Sequence, residues 1–164
     1  MRLRLISDDA ARRMYSAGKR DEVARRFSRL WARVMRLGVL PRRWVVLAVR
    51  GRKSGLLRSF PLGMADVGGD WYLVSMLGEC AWVHNVSAAG GRVVLRRRRS
   101  YPCRLEEVPA AGRGPILKRY VDKVPGGRPH IPVPRGAPVE RFQAIADGYP
   151  VFLVIPDVPL PRPR

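Results

Sequence analysis

The sequence predicts a mainly β chain with flanking helices, built as an antiparallel barrel. Short apolar and β-branched runs recur between glycine- and proline-bearing turns, six in all. The helical stretches between them are few and do not alternate with strands, which argues against βαβ units. No internal repeat suggests a solenoid.

In chain order, the first element is a helix from Asp21 to about Leu37. Val23, Phe27, Leu30, Trp31, Val34 and Met35 recur at helical spacing, and arginines fill the other face. Gly38 and Pro41 stop it. Trp44–Val49 is apolar and β-branched and reads as a strand. A second strand follows from Leu56 to about Ala65, a turn at 67–70, and a third strand over Trp71–Leu77. Trp82 to about Ala89 is a short helix ended by Gly90 and Gly91. Arg92–Arg98 and Tyr101–Val108 form a hairpin. Ile116–Val124 is helical, and the proline- and glycine-rich run 125–138 is a loop. Val139–Ala146 is a short amphipathic helix with Phe142 and Ile145 on one side. Tyr149–Ile155 is the last strand, and the tail beyond it is expected to fray. These readings divide the chain into a basic helical segment (1–42), a barrel domain (43–156) and a tail (157–164).

A chain of 164 residues, 46% of them hydrophobic, suits one globular domain that needs no metal or disulfide staple. The net charge of +19 attracts polyanions: nucleic acid, an anionic membrane face, or a phosphate- or carboxylate-rich small molecule. Arginine supplies most of the excess, a bias that a G- and C-rich genome alone would also produce. Cys80 and Cys103 lack CxxC spacing and read as reduced thiols in a cytoplasmic protein without a metal site. No stretch approaches the length of a membrane span. The helix at 21–37 reads first as an amphipathic helix capping the barrel and second as a helix lying on a surface, so the inner membrane face is a candidate peripheral location.

Two segments carry chemistry. The run Gly51-Arg52-Lys53-Ser54-Gly55-Leu56-Leu57-Arg58 puts cations and a hydroxyl on a glycine-bounded turn, which suits an anionic ligand. It is no P-loop, because Arg52 rather than glycine precedes Lys53 and a strand follows. Taken alone, a charged hairpin turn is as often ordinary surface as a site. About twenty residues on, Trp82, His84 and Asn85 place an aromatic beside polar groups, suited to a flat ligand; alone they would more often be packing and a cap. His84 has no assignable partner for a triad or metal site. Arg96–Arg99 lacks interleaved aromatics, which weakens a single-strand nucleic-acid reading.

Taken together the pieces resemble the deazaflavin (coenzyme F420)-dependent nitroreductase family, whose fold is a split β-barrel related to flavin-binding split barrels. The matching residues are Gly51–Gly55 with Arg58, Pro61 and Leu62; Trp71–Gly78; Trp82 and Asn85; Gly91–Leu95; and Ala137, Pro138, Phe142, Ile145, Ala146 and Tyr149–Phe152. They span roughly Trp44 to Pro156. The resemblance implies an enzyme moving a hydride from reduced coenzyme F420 to a small unsaturated, quinone-like or nitro acceptor, with FMN as the alternative cofactor. It implies Arg52, Lys53, Ser54 and Arg58 at the phosphate and tail of the coenzyme. Ser59, Phe60, Pro61, Leu62 and Gly63 would line its channel. Ser75, Met76, Leu77 and Gly78, with Ala81, Trp82, Val83, His84 and Asn85, would meet its ring. Residues 138–143 depart from the family in lacking the tyrosines that members reducing nitroaromatics or quinones often carry; Phe142, in the matched segment, is the substrate-side candidate that the resemblance implies. Split barrels occur as monomers and dimers, so a homodimer is compatible. The alternatives are a coenzyme-binding protein without reductase activity and a basic module for nucleic acid or anionic lipid.

Overall fold

The structure is a computed structural model that describes residues 41–163. The helix expected over 21–37, and with it nearly all of the segment 1–42, lies outside those residues. The strands are β1 (Trp44–Arg50), β2 (Leu57–Val67), β3 (Asp70–Val74), β4 (Arg92–Arg96), β5 (Ser100–Glu107) and β6 (Val151–Pro156). Three α-helices accompany them: α1 (Ala81–Ala88), α2 (Gly114–Lys123) and α3 (Val139–Gln143). The strands close a barrel in the order β1-β2-β3-β6-β5-β4, with every neighbouring pair antiparallel.

Strand alternation explains the barrel core. Val45, Leu47 and Val49 of β1 point inward with Val93 and Leu95 of β4, Leu105 of β5 and Phe152 of β6. Trp82, Val83 and Val86 of α1 join this cluster and cover one end of the barrel. A second core lies outside β2, β3 and β6. There Ala65, Val74 and Val151 meet Ile116, Leu117, Tyr120 and Val121 of α2, with Phe142 of α3. Full burial of each such side chain is worth roughly 1.5–3 kcal/mol, so both layers hold the strands that carry the site.

Two polar staples fix the helical layer. Asp66 at the end of β2 accepts from Arg119 Nη2 at 2.7 Å and Nε at 3.2 Å, and from Arg43 Nη1 at 3.3 Å. Buried Arg113 donates to the carbonyls of Val108 (2.7 Å) and Ala146 (3.1 Å) and to Glu107 Oε1 (2.9 Å).

Several boundaries differ from expectation, each for a local reason. β3 ends at Val74 rather than Leu77, because the Ser75 hydroxyl donates to the Gly78 carbonyl and folds a turn there. The loop 125–138 contains a 3-10 turn over Pro125–His130. The last helix stops at Gln143 and a 3-10 turn follows over Ala146–Gly148. Tyr149 precedes Pro150 and must be extended, which ends helical geometry ahead of it. The tail does not fray: Trp71 Nε1 donates to the Pro161 carbonyl at 2.8 Å, and Leu160 packs on the barrel core. Both cysteines are free thiols, and burial pushes Cys103 up to about 11.

Candidate functional site

The β1–β2 hairpin carries the basic turn. Gly51 N–H donates to the Leu56 carbonyl and Gly55 N–H to the Gly51 carbonyl, both at 2.8 Å. Gly55 has φ +67°, which only glycine adopts without strain, and Leu56 N–H donates to Ser54 Oγ at 3.3 Å. With the turn so closed, every residue from Arg52 to Ser59 is exposed. No acidic residue occurs between Arg42 and Ala65, so the cations Arg52, Lys53 and Arg58 meet no carboxylate on their own strands. Asp66, the first acid after them, is taken by Arg119 and Arg43. Its own burial works against ionisation, but the two guanidinium groups prevail and hold its carboxyl below the usual value.

The turn is tied to α1. Arg52 N–H donates to Asn85 Oδ1 at 3.1 Å, and Asn85 is only 6% exposed. At its N-terminal end the same helix touches the Ser75–Gly78 turn. Ser75 Oγ lies 3.4 Å from Cys80 Sγ, and Cys80 N–H donates to the Gly78 carbonyl at 2.9 Å. Gly78 has φ +66°, and a Cβ there would come within 3.3 Å of the Gly148 carbonyl. Thus α1 joins the basic turn to the Ser75–Gly78 turn, with Ala81 exposed at its start and Leu77 exposed beside it.

Other expected site residues lie elsewhere. Trp82 is 5% exposed and its ring centroid sits 5.5 Å from that of Phe152 inside the barrel, so it offers no face to a ligand. Its role is to anchor α1 from beneath. On β2, Phe60 and Leu62 pack toward the barrel core, whereas alternation turns Ser59, Pro61 and Gly63 outward. Val83 and His84 line a cavity of about 420 Å³ away from the turn. Phe142 is fully buried against α2, which excludes it as a substrate contact unless the helical layer opens.

Tyr120 is a near-site residue that the sequence did not reveal, and Tyr149, matched only as the start of the last strand, is a second tyrosine on that side of the molecule. Tyr120 Oη meets Met76 Sδ at 3.8 Å, and Tyr149 Oη donates to the His130 carbonyl at 3.1 Å. Burial raises the Tyr149 phenol above its ordinary value. No local spacing links residues 44 positions apart. Among the described residues no group of His, Cys, Asp and Glu could hold a metal ion, and no helix is long and apolar enough to cross a membrane.

Residues 19–128, more than half of the chain, match the model of the F420H(2)-dependent quinone reductase family. The chain belongs to that family. It is an oxidoreductase that depends on coenzyme F420. A solved F420-H2 dependent reductase is 27% identical to it, covering 71% of this chain and 96% of its own, with a TM-score of 0.47. Two further structures are alike in fold alone. A protein of unknown function from Agrobacterium tumefaciens has a TM-score of 0.55 at 11% identity, over 77% of this chain and 53% of its own. A conserved hypothetical protein from Mycobacterium tuberculosis has a TM-score of 0.52 at 12% identity, over 71% and 74%. No curated protein matches the chain.

The donor set fits the coenzyme's chemistry. Coenzyme F420 joins a flat deazaflavin to a phosphodiester and a glutamate tail, and an exposed turn of arginine, lysine and serine without acids complements the anionic half.

Proposed function

We propose that the enzyme reduces a small quinone-like or other unsaturated acceptor, with the coenzyme's tail held on the β1–β2 turn. Bound there, the reduced deazaflavin would supply the hydride. Arg52, Lys53 and Arg58 would neutralise the phosphate and carboxylates, and the Ser54 hydroxyl would add a hydrogen bond. Ser59 and Pro61 would flank the coenzyme along the outer side of β2, whereas Gly63, covered by Val124 and Trp44, lies beyond its reach. The Ser75–Gly78 turn and Ala81 would bound the ring and exclude water from one side. The observation carrying this reading is the Arg52 N–H to Asn85 Oδ1 bond, which sets the tail-binding turn at a fixed distance from the helix beside the ring. Solvent or a tyrosine hydroxyl would deliver the proton.

A second reading has its own support. Leu56 is 63% exposed and Leu57 52%, at a turn flanked by cations, which favours contact with an anionic membrane face.

One experiment separates the two. Coenzyme fluorescence is titrated with the native protein and with the Lys53→Ala/Arg58→Ala variant, in parallel with sedimentation of anionic vesicles. Two lost charge-assisted contacts should weaken the coenzyme about 100-fold, at tenfold for each 1.4 kcal/mol. An unchanged Kd would refute the tail assignment. Loss of vesicle binding with coenzyme affinity intact would favour the membrane reading. Reduction of a benzoquinone by the reduced coenzyme then tests the acceptor class.

A further inference from the structure

The outer face of β1 is buried without belonging to either core. Val45, Leu47 and Val49 face the barrel interior, so alternation turns Val46 and Ala48 outward. Yet Val46 and Ala48 are each only 1% exposed, and neither joins the barrel core or the helical layer. Their cross-strand neighbours do not account for this. Val46 pairs with Pro61 of β2 and Arg96 of β4, and Ala48 with Ser59 and Val94. Pro61, Arg96 and Val94 are themselves half-buried, and Ser59 is exposed. Neighbours in a sheet lie beside a side chain and leave its tip open, so a face this dry needs a layer above it. The described elements that pack most on β1 are β2, β4 and α1, and α1 covers the barrel end. Arg96 gives a second sign on the same face. Its Nε is shielded from solvent and has no hydrogen-bond partner among the described residues.

One occupant suits this face in period, length and attachment. Segment 21–37, outside the described residues, spaces Phe27, Leu30, Trp31 and Val34 as i, i+3, i+4 and i+7, with arginines at the positions between. As a helix it would run about 25 Å, and the seven residues of β1 run about 23 Å. Residues 38–43 join it to β1 and reach up to about 20 Å. That is enough to rise one helix diameter, about 10 Å, and fold back over the strand. The family match starts at residue 19, so the segment belongs to the matched domain and is no appendage to it.

We infer that segment 21–37 docks on the outer face of β1 and β4. Phe27, Leu30, Trp31 and Val34 would lie against Val46, Ala48 and Val94, with the arginines turned to solvent. Because Val46 and Ala48 pair with Pro61 and Ser59, the docked segment stands beside the outer side of β2 and forms a second wall for the coenzyme. That consequence rests on the assignment of the coenzyme tail to the β1–β2 turn; the docking itself does not.

The test uses the full chain with isotopically labelled methyl groups. In the native protein, the Val46 methyls should show nuclear Overhauser contacts to the ring protons of Phe27 or Trp31. In a mixture of labelled and unlabelled chains, those contacts should stay within one chain. Leu30→Glu, which lies outside the barrel, should erase them and speed tryptic cleavage at Arg29 and Arg33 about tenfold, since a carboxylate cannot stay on a dry face. Ala48→Glu should do the same from the barrel side. Leu30→Glu should also weaken the coenzyme about tenfold, the scale of one lost contact. The docking would be overturned by absence of the Val46 contacts, or by a Leu30→Glu variant cleaved no faster than the native chain. It would equally be overturned by contacts that prove intermolecular, which would give the face to a second copy, or by contacts to the acyl chains of added anionic vesicles instead. An unchanged Kd in Leu30→Glu, beside a weakened Lys53→Ala/Arg58→Ala variant, would overturn the second wall. A Kd unchanged in both would refute the tail assignment, and the Val46 contacts would still decide the docking.

Discussion

Asp66 shows how one side chain can link three parts of the molecule. Its carboxylate joins β2 to α2 through Arg119 and to the start of β1 through Arg43, with its side chain only 10% exposed. The folded state holds its proton more weakly than the unfolded chain does, because the two arginines outweigh the effect of burial. A lowered folded pKa contributes stability that is present above the unfolded value and lost as pH falls below it. Asp66→Asn should therefore cost roughly 2 kcal/mol at neutral pH, the scale of charged hydrogen bonds. The gap between native and variant in denaturant unfolding should stay level from about pH 7 to 5 and narrow below about pH 4. A gap independent of pH down to pH 2 would contradict this. Residue by residue, the sequence was readable where chemistry is local and less so where it depends on burial. The basic turn was found because its cations, hydroxyl and glycines are adjacent. Trp82 and Phe142 stand as ligand contacts only through the family resemblance, and a matched aromatic does not tell whether its ring is buried or presented.

The pairing of α1 with the β1–β2 turn is the element on which the site depends. Asn85 reaches out of the helix and accepts from a turn 33 residues earlier. Asn85→Leu keeps the side-chain size but leaves Arg52 N–H without its acceptor. The turn should loosen, hydrogen exchange at Arg52 should accelerate, and coenzyme affinity should fall about tenfold, the 1.4 kcal/mol of a single lost hydrogen bond. Native exchange and affinity would remove Asn85 from its positioning role. Most elements were legible because strand alternation and glycine punctuation are strong local signals. The end of β3 was not: Trp71–Leu77 is apolar enough to continue as a strand, and only the Ser75 hydroxyl, bonded to Gly78, turns it aside.

At the scale of the whole molecule, the tail shows what a one-dimensional reading misses. Residues 157–163 are rich in proline, and proline-rich termini usually lack partners. Here the Pro161 carbonyl takes the Trp71 indole N–H across 90 positions, and the Arg162 carbonyl takes Arg42 Nη1 at 3.2 Å. Truncation after Pro156 leaves the indole donor of Trp71 unsatisfied and uncovers the side of the core under Leu160. It should lower stability by about 1–3 kcal/mol, the cost of an unpaired buried donor, which thermal unfolding would report as a drop of several degrees. An unchanged melting temperature would show that the tail only rests on the surface.

Closure of the barrel has a consequence for how this protein meets other chains. Each of the six strands has a hydrogen-bonded neighbour on both sides, since β4 pairs with β1. The closure is incomplete along β2, whose residues Leu57–Gly63 pair with β1 and only Met64–Val67 with β3. Strand addition, the common route to sheet-to-sheet association, is therefore confined to the ends where the partners stop short, and elsewhere a second copy would have to assemble through side-chain surfaces or by exchange of a whole segment.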